Sequence, residues 1–275
     1  MNILLRRRLL GKTSTKAIAT NSQTGLRAVL NTEEHPDEVD WCFRWGCTSN
    51  VGAKRFVNEA RAIHLCTDKL RARIALGTQG VTIPRTWGTF DELRREPFPA
   101  HGVVIRPLNH HQGIHFAVAL SPEELEVVLE KDYADYYLSE FIPKDREFRV
   151  YVVQGRVAAI AEKFVEDKAQ PAWNHFLGGE FRNVRWGEWP LEACRLGVEA
   201  ALAIGLDFSG VDIIAQGDQY SVLELNSAPS LTSPYRQQVF AKVFDHVVTT
   251  DSKETIPLTN TPGYRRYLHP ALEKQ

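Results

Sequence analysis

Asp212, Glu224 and Asn226 carry the side chains of a hard-cation site. They fall in two apolar runs, Gly210-Val211-Asp212-Ile213-Ile214 and Val222-Leu223-Glu224-Leu225-Asn226, separated by Gln216-Gly217-Asp218-Gln219. Two strands joined by a turn are expected. Residues two apart in a strand share a face, so Glu224 and Asn226 project together while Leu223 and Leu225 project to the other side. A carboxylate buried without a partner is costly, so the polar face must meet water, basic side chains or a cation. Two carboxylates and an amide are oxygen donors that suit Mg²⁺ carried on a nucleotide phosphate. An ordinary amphipathic hairpin with a solvated polar face has the same pattern, and these residues alone do not choose between the two.

The chain of 275 residues has room for one large domain or two closely joined ones. A hydrophobic content of 43% with 24% charged residues is that of a soluble globular protein. The net charge of -1 offers no basic field for nucleic acid, so no nucleic-acid partner is expected. No apolar run approaches the ~20 residues of a membrane span, so no membrane partner is expected either. Cys42, Cys47, Cys66 and Cys194 match no CxxC or zinc spacing, which predicts reduced thiols and a cytoplasmic protein. Residues 1–32 are rich in Arg, Lys, Ser and Thr and hold no acid, the composition of an organelle import segment. The preferred reading is an edge strand Asn2–Leu5, a turn at Gly11 and a helix from near Thr13.

Residues 1–57 read as a small α/β region, in which His35 belongs to a solvated loop. A helix is expected from an Asn58 cap to about Leu76, stopped by Gly77 and Gly80. Val81–Thr86 is extended before and after Pro84. Val103–Pro107 is a strand that runs into Asn109-His110-His111-Gln112-Gly113-Ile114-His115. Three histidines without a thiolate or spaced carboxylate fit a polar loop better than a metal site. A strand at His115–Leu120 precedes a helix opened by Ser121-Pro122-Glu123-Glu124. Strands follow at Tyr136–Ile142, Glu147–Val153 and Val157–Lys163, the last two joined at Gln154-Gly155. Residues 169–187 read as a long, functional loop. Helices are expected over Pro190–Leu206 and from Ser233-Pro234 to about Val248, and the tail from Asp251 is polar.

In this order the segments resemble the ATP-grasp superfamily of carboxylate–amine ligases, in its ribosomal-protein glutamate ligase and D-alanine–D-alanine ligase branches. The resemblance covers residues 58–250. Thr67-Asp68-Lys69 with Val81–Thr86 looks like the family's entry motif, and Lys69 like its first nucleotide lysine. Val104-Ile105-Arg106-Pro107 looks like "V-V-K-P", with Arg106 in place of lysine. The loop at 109–115 keeps only Gly113 of the flexible glycine-rich loop. Glu140-Phe141-Ile142 resembles the hinge on whose backbone the adenine lies. Arg149 takes the place of the arginine of "D-x-R-V". Glu162-Lys163 falls where related ligases put a polar pair facing the site, which makes Lys163 a nucleotide residue. Trp173–Gly179, with Asn174 and His175, resembles the loop bordering the acceptor pocket. Asp212, Glu224 and Asn226 match the metal triad. The run from Asn226 through Ser227 to Thr232 resembles "N-x-x-P-G-x-T", with Ser230 replacing Gly.

The resemblance implies an α+β ATP-grasp fold, two α/β subdomains clamping a nucleotide, with residues 102–140 as the lid and 251–275 as a tail. It implies ATP with Mg²⁺, or Mn²⁺ in its place, a small-molecule or peptide substrate bearing a carboxylate, and an amine acceptor. Arg149 and Asn226 would be catalytic. Lys69, Arg106, Gly113, Glu140, Phe141, Ile142 and Lys163 would hold the nucleotide. Asn174, His175, Ser227 and Arg236 would meet substrate. Two other functions keep the fold: an ATP-binding regulatory or scaffolding protein, and a kinase that stops at phosphorylation. The triad also makes a demand on register. A four-residue turn Gln216–Gln219 sets Ala215 opposite Tyr220 and turns Asp212 away from Glu224. The ligands converge only if the turn is one residue shorter or a bulge intervenes; the expected register sets Asp212 opposite Glu224, with Gly217 supplying the unusual backbone.

Overall fold

The run Ile3-Leu4-Leu5 is buried on both faces, as an interior strand of a parallel sheet must be. The computed structural model describes residues 1–9, 11–35, 38–108, 117–132, 135–166, 173 and 179–273. In it β1 (Ile3–Arg7), β2 (Arg27–Leu30), β3 (Val39–Trp45) and β4 (Ala53–Val57) form a parallel sheet in the order β2-β1-β3-β4. The expected edge strand is therefore an inner one, flanked on both sides. Helix α1 (Lys12–Asn21) follows Gly11, whose φ of +89 makes the turn.

The single helix expected after Asn58 is two, α2 (Ala60–Thr67) and α3 (Lys69–Thr78). Asp68 breaks it: its backbone is extended and its carboxylate accepts from Arg71 N at 3.0 Å, capping α3. Asn58 caps neither helix. Its φ is +68 and its buried amide bonds both backbone groups of Phe208, 150 residues away, at 2.9 and 3.0 Å.

A second sheet, ordered β5-β8-β6-β7, is antiparallel. It comprises β5 (Thr86–Trp87), β6 (Val103–Pro107), β7 (Ala117–Ala119) and β8 (Tyr136–Glu140), with α4 (Phe90–Leu93) and α5 (Pro122–Asp132) on one side. Ser121 Oγ accepts from Glu124 N, and the Glu124 carboxylate accepts from Leu120 N, which opens α5 as its sequence signature predicts. Trp87, Val103, Ile105, Ala119 and Leu138 form this sheet's core with Leu93 and Leu125. Thr86, Val104, Arg106, Tyr137 and Ser139, cross-strand partners or two residues apart, lie on the opposite face.

The third sheet is antiparallel: β9 (Arg146–Val153), β10 (Arg156–Phe164), β11 (Glu180–Asn183), β12 (Phe208–Gln216) and β13 (Gln219–Asn226), ordered β11-β10-β9-β12-β13. Strand β11 lies in the segment expected as a loop. Phe148 and Val150 face α6 (Leu191–Ile204), which packs so closely that a Cβ at Gly197 would come within 2.7 Å of Val150. Helix α7 (Pro234–Thr249) packs its Phe240 and Phe244 against Trp45, Tyr151 and Phe208, joining the first sheet to the third.

The polar tail is held against the body as far as it is described, to residue 273. Ile256 N donates to Gln154 O, His269 N to Val157 O, and the Gln154 amide to Ser252 O, clasping the β9–β10 turn. Burial pushes the His269 imidazole down to about 3, helped by His246 and Arg156, so it stays neutral. Its Nδ1 accepts from Ala271 N, leaving Nε2–H to donate to Gln154 Oε1 at 3.1 Å. Among the described residues no helix is long and apolar enough to cross a membrane.

Candidate active site

Strand β12 places Asp212 directly opposite Glu224 on β13 and Gly210 opposite Asn226. The turn residues are Gly217 and Asp218, with Gln216 paired to Gln219 and Ala215 to Tyr220. Continued without interruption, that ladder would set Asp212 against Leu223. The register shifts between Asp212 and Ile213, and Leu223 is the extra residue. The bulge is as expected, but its place is Leu223; Gly217, with φ +56, only makes the turn.

The shift puts Asp212, Glu224 and Asn226 on one face. Asn226 Nδ2 lies 3.3 Å from Asp212 Oδ2 and 3.3 Å from Glu224 Oε1. Arg149 is the cross-strand partner of Asp212 on β9, and its fork meets the carboxylate with Nε–Oδ1 2.5 Å and Nη2–Oδ2 2.6 Å. The guanidinium lies 4.6 Å over the Phe181 ring of β11. Gly210 is needed here: a Cβ would come 2.8 Å from Pro229 and 3.3 Å from Arg149 Cδ.

Glu147, two residues before Arg149, is buried on the same face and is clamped by Lys163 of β10 and by Lys144, the latter at 2.5 Å. Burial pushes the Glu147 carboxyl up, but Lys163 and Lys144 outweigh it and hold it low. Burial also pushes Lys144 down. Lys144 caps the Trp173 ring at 4.9 Å. Glu162 does not share this face: it points to the back and pairs with Arg146 at 2.7 Å, because neighbours in a strand alternate.

Lys69 reaches the triad from α3. Its Nζ donates to Leu225 O at 2.8 Å and lies 3.8 Å from Glu224 Oε2. Burial pushes Glu224 up, yet Lys69, Arg106 and Arg149 outweigh it and bring the carboxyl down to about 2. Glu224 is therefore ionised at neutral pH.

Arg106 projects from the second sheet's inner face, forms no ion pair among the described residues, and leaves its Nε without a partner. At the hinge, Glu140 N donates to Arg85 O and Phe141 N to Gly102 O, while Arg85 holds the Glu140 carboxylate. Those two N–H groups are committed to the protein. Ile142 N has no acceptor among the described residues.

Beyond the triad, Ser227 is buried beside Cys66, and Tyr151 Oη donates to Ser230 O at 3.2 Å. Arg236 is 1% exposed; it donates to Asn183 Oδ1 at 2.5 Å and Thr232 Oγ1 at 3.0 Å and has no carboxylate partner among the described residues. Helix α1 and the turn after β3 close this side: Leu231 N donates to Ser14 Oγ, and a Cβ at Gly46 would meet Ala228 at 2.8 Å. Gly113, Asn174, His175 and the histidine loop lie outside the described residues. Glu147 and Lys144 escaped the sequence reading, although the two-residue spacing from Arg149 marks Glu147.

Residues 67–241 match the model of the RimK-like ATP-grasp domain. The chain belongs to that family. A probable alpha-L-glutamate ligase of Teredinibacter turnerae is 33% identical over 186 residues, 64% of this chain and 60% of that protein. The chain thus spans about 60% of the length of the curated relatives it matches. Two solved structures share the ATP-grasp fold. D-alanine–D-alanine ligase from Bacillus anthracis complexed with ATP has a TM-score of 0.63 at 15% identity, covering 90% of this chain and 96% of that one. The ATP-grasp ligase PsnB, complexed with a phosphomimetic variant of its minimal precursor, Mg and ADP, has a TM-score of 0.61 at 14% identity, covering 90% and 99%. The α+β clamp expected from the motifs is therefore the fold, and its solved neighbours hold adenine nucleotides, one with Mg.

Proposed function

We propose that this RimK-like ATP-grasp protein is an ATP-dependent carboxylate–amine ligase. The observation that carries the reading is the single sheet face on which Asp212, Glu224, Asn226 and Arg149 converge, opposite a sheet that presents Arg106. Lys69, Lys144, Lys163, Arg106 and Arg149 outnumber Asp212, Glu224 and Glu147, a balance suited to a triphosphate.

The donor set fits Mg²⁺. Asp212, Glu224 and, with its amide turned, Asn226 supply only oxygens, and the 3.3 Å spacings already bring the three groups to one point. Each Asp212 oxygen engaged by Arg149 keeps a second lone pair for a cation. Bound there, Mg²⁺ or Mn²⁺ would neutralise phosphate charge.

In the reaction a substrate carboxylate oxygen attacks the γ-phosphorus of ATP, and the β–γ bridging oxygen departs with ADP. An amine then attacks the acyl carbon, phosphate leaves, and the nitrogen gives up a proton to form the amide. Arg149 offsets charge on the transferring phosphoryl group. Arg106 and Lys163 orient the phosphates, with Lys69 fixing Glu224 from behind. Ile142 N meets the adenine edge. Ser227 and Arg236 border the acceptor side, and Asn174 and His175 are proposed to meet substrate as well; Arg236, buried and with no carboxylate partner among the described residues, suits a substrate that is itself acidic, an amino acid or a peptide. A closed lid keeps water from the acyl-phosphate.

Hydroxylamine tests the reading. Protein incubated with Mg-ATP, hydroxylamine and a panel of amino acids and peptides is expected to form hydroxamate in step with ADP for at least one carboxylate. Phosphorylated product that yields no hydroxamate would support the kinase, and nucleotide binding without turnover the regulatory module.

A further inference from the structure

Arg73 is a buried cation close to the site that the reading so far does not use. It is 2% exposed. It lies four residues after Lys69 on α3, so the two project from the same side of the helix. Lys69 reaches Glu224; one turn on, Arg73 reaches the second sheet. Its Nη1 donates to Thr86 Oγ1 at 3.3 Å, its guanidinium carbon lies 5.7 Å from the Tyr137 ring centre, and its Nε has no partner. No carboxylate pairs with it among the described residues. Tyr137 is the cross-strand partner of Arg106 and Thr86 that of Ser139, so Arg73 sits against the face that presents Arg106. Burial pushes the guanidinium down and Arg106 adds repulsion, while Tyr137 and Glu224 offset part of it. Two neighbouring guanidinium groups that pair with no carboxylate among the described residues and feel Glu224 only at a distance are costly, and an anion between them offsets that cost.

We propose that Arg73 and Arg106 form a two-guanidinium clamp for a phosphate of the bound nucleotide, with α3 supplying one jaw and the lid sheet the other. The inference rests on the nucleotide site proposed above. An arginine that only props the lid against Tyr137 is the competing role, and the two roles part on phosphate dependence.

The experiment is calorimetric titration of the full chain with Mg-ADP and with adenosine, for wild type, Arg73→Gln and Arg73→Lys, alongside the thermal unfolding midpoint of the free proteins. The clamp predicts that Arg73→Gln weakens ADP about ten- to a hundredfold, a charged hydrogen bond's worth, with adenosine affinity and unfolding midpoint held. Arg73→Lys should recover most of the loss. Unchanged ADP affinity in Arg73→Gln overturns the clamp. So does a parallel loss of ADP and adenosine with a lowered midpoint, the mark of a prop. If Arg73→Gln does not fold, a folded Arg73→Lys that loses adenosine as much as ADP overturns it equally. Wild type that binds no ADP overturns the nucleotide site itself, a result distinct from a failure of Arg73 alone.

Discussion

Glu224 is the residue through which the site answers to pH. Its carboxyl is held near 2 by Lys69, Arg106 and Arg149 against the effect of burial. As pH falls the unfolded chain therefore takes up a proton first. The stabilisation is complete above the ordinary glutamate value of about 4.5 and is lost as pH falls towards about 2. Glu224→Gln should be less stable than wild type at pH 7, with the difference shrinking as the pH falls below about 5; urea unfolding at each pH measures it. Glu147 acts in the same direction through two lysines. Glu147→Gln leaves both lysines without their counter-charge and should cost about 3–5 kcal/mol in urea unfolding, the range for breaking one side of a buried pair. A loss below 1 kcal/mol would show that the lysines find other partners.

At the level of elements, the bulge decides whether the triad exists. One residue, Leu223, turns Glu224 and Asn226 to the face of Asp212 and Arg149. Deleting Leu223 should remove the bulge, leave Val222 opposite Ile213 and Glu224 opposite Asp212 in an unbroken ladder, and keep Mg-ADP binding, read by calorimetry on a chain whose far-UV circular dichroism shows it still folded. Lost binding in a folded chain would mean that the pairing of Asp212 with Glu224 does not by itself make the site.

The hairpin was legible because alternation and a short turn are local signals, and the convergence demand exposed the bulge. Strand β11 was not legible: Glu180-Phe181-Arg182-Asn183 has one apolar residue, and its pairing with β10 spans a long segment. The break at Asp68 was missed because Asp can cap a helix or ride within one, and only its extended backbone decides. Asn58 was read as a cap since its bonds to Phe208 are tertiary.

At the scale of the whole molecule, all three sheets contribute to the site. Helix α1 and the turn after β3 close the side beyond the triad through Ser14 and Gly46, the second sheet brings Arg106, and the third carries the triad. Motif order conveyed the clamp, but not the tail's clasp, which consists largely of backbone bonds that no side-chain pattern records. The claim at the centre is that Asp212, Glu224 and Asn226 together hold a divalent cation on a nucleotide. Electron paramagnetic resonance of Mn²⁺ titrated into the protein with and without ADP measures this directly. The account predicts tight Mn²⁺ binding that requires ADP, with Asn226→Ala and Glu224→Gln each weakening it at least about tenfold. Mn²⁺ binding that is indifferent to ADP, or unchanged in both variants, would contradict it.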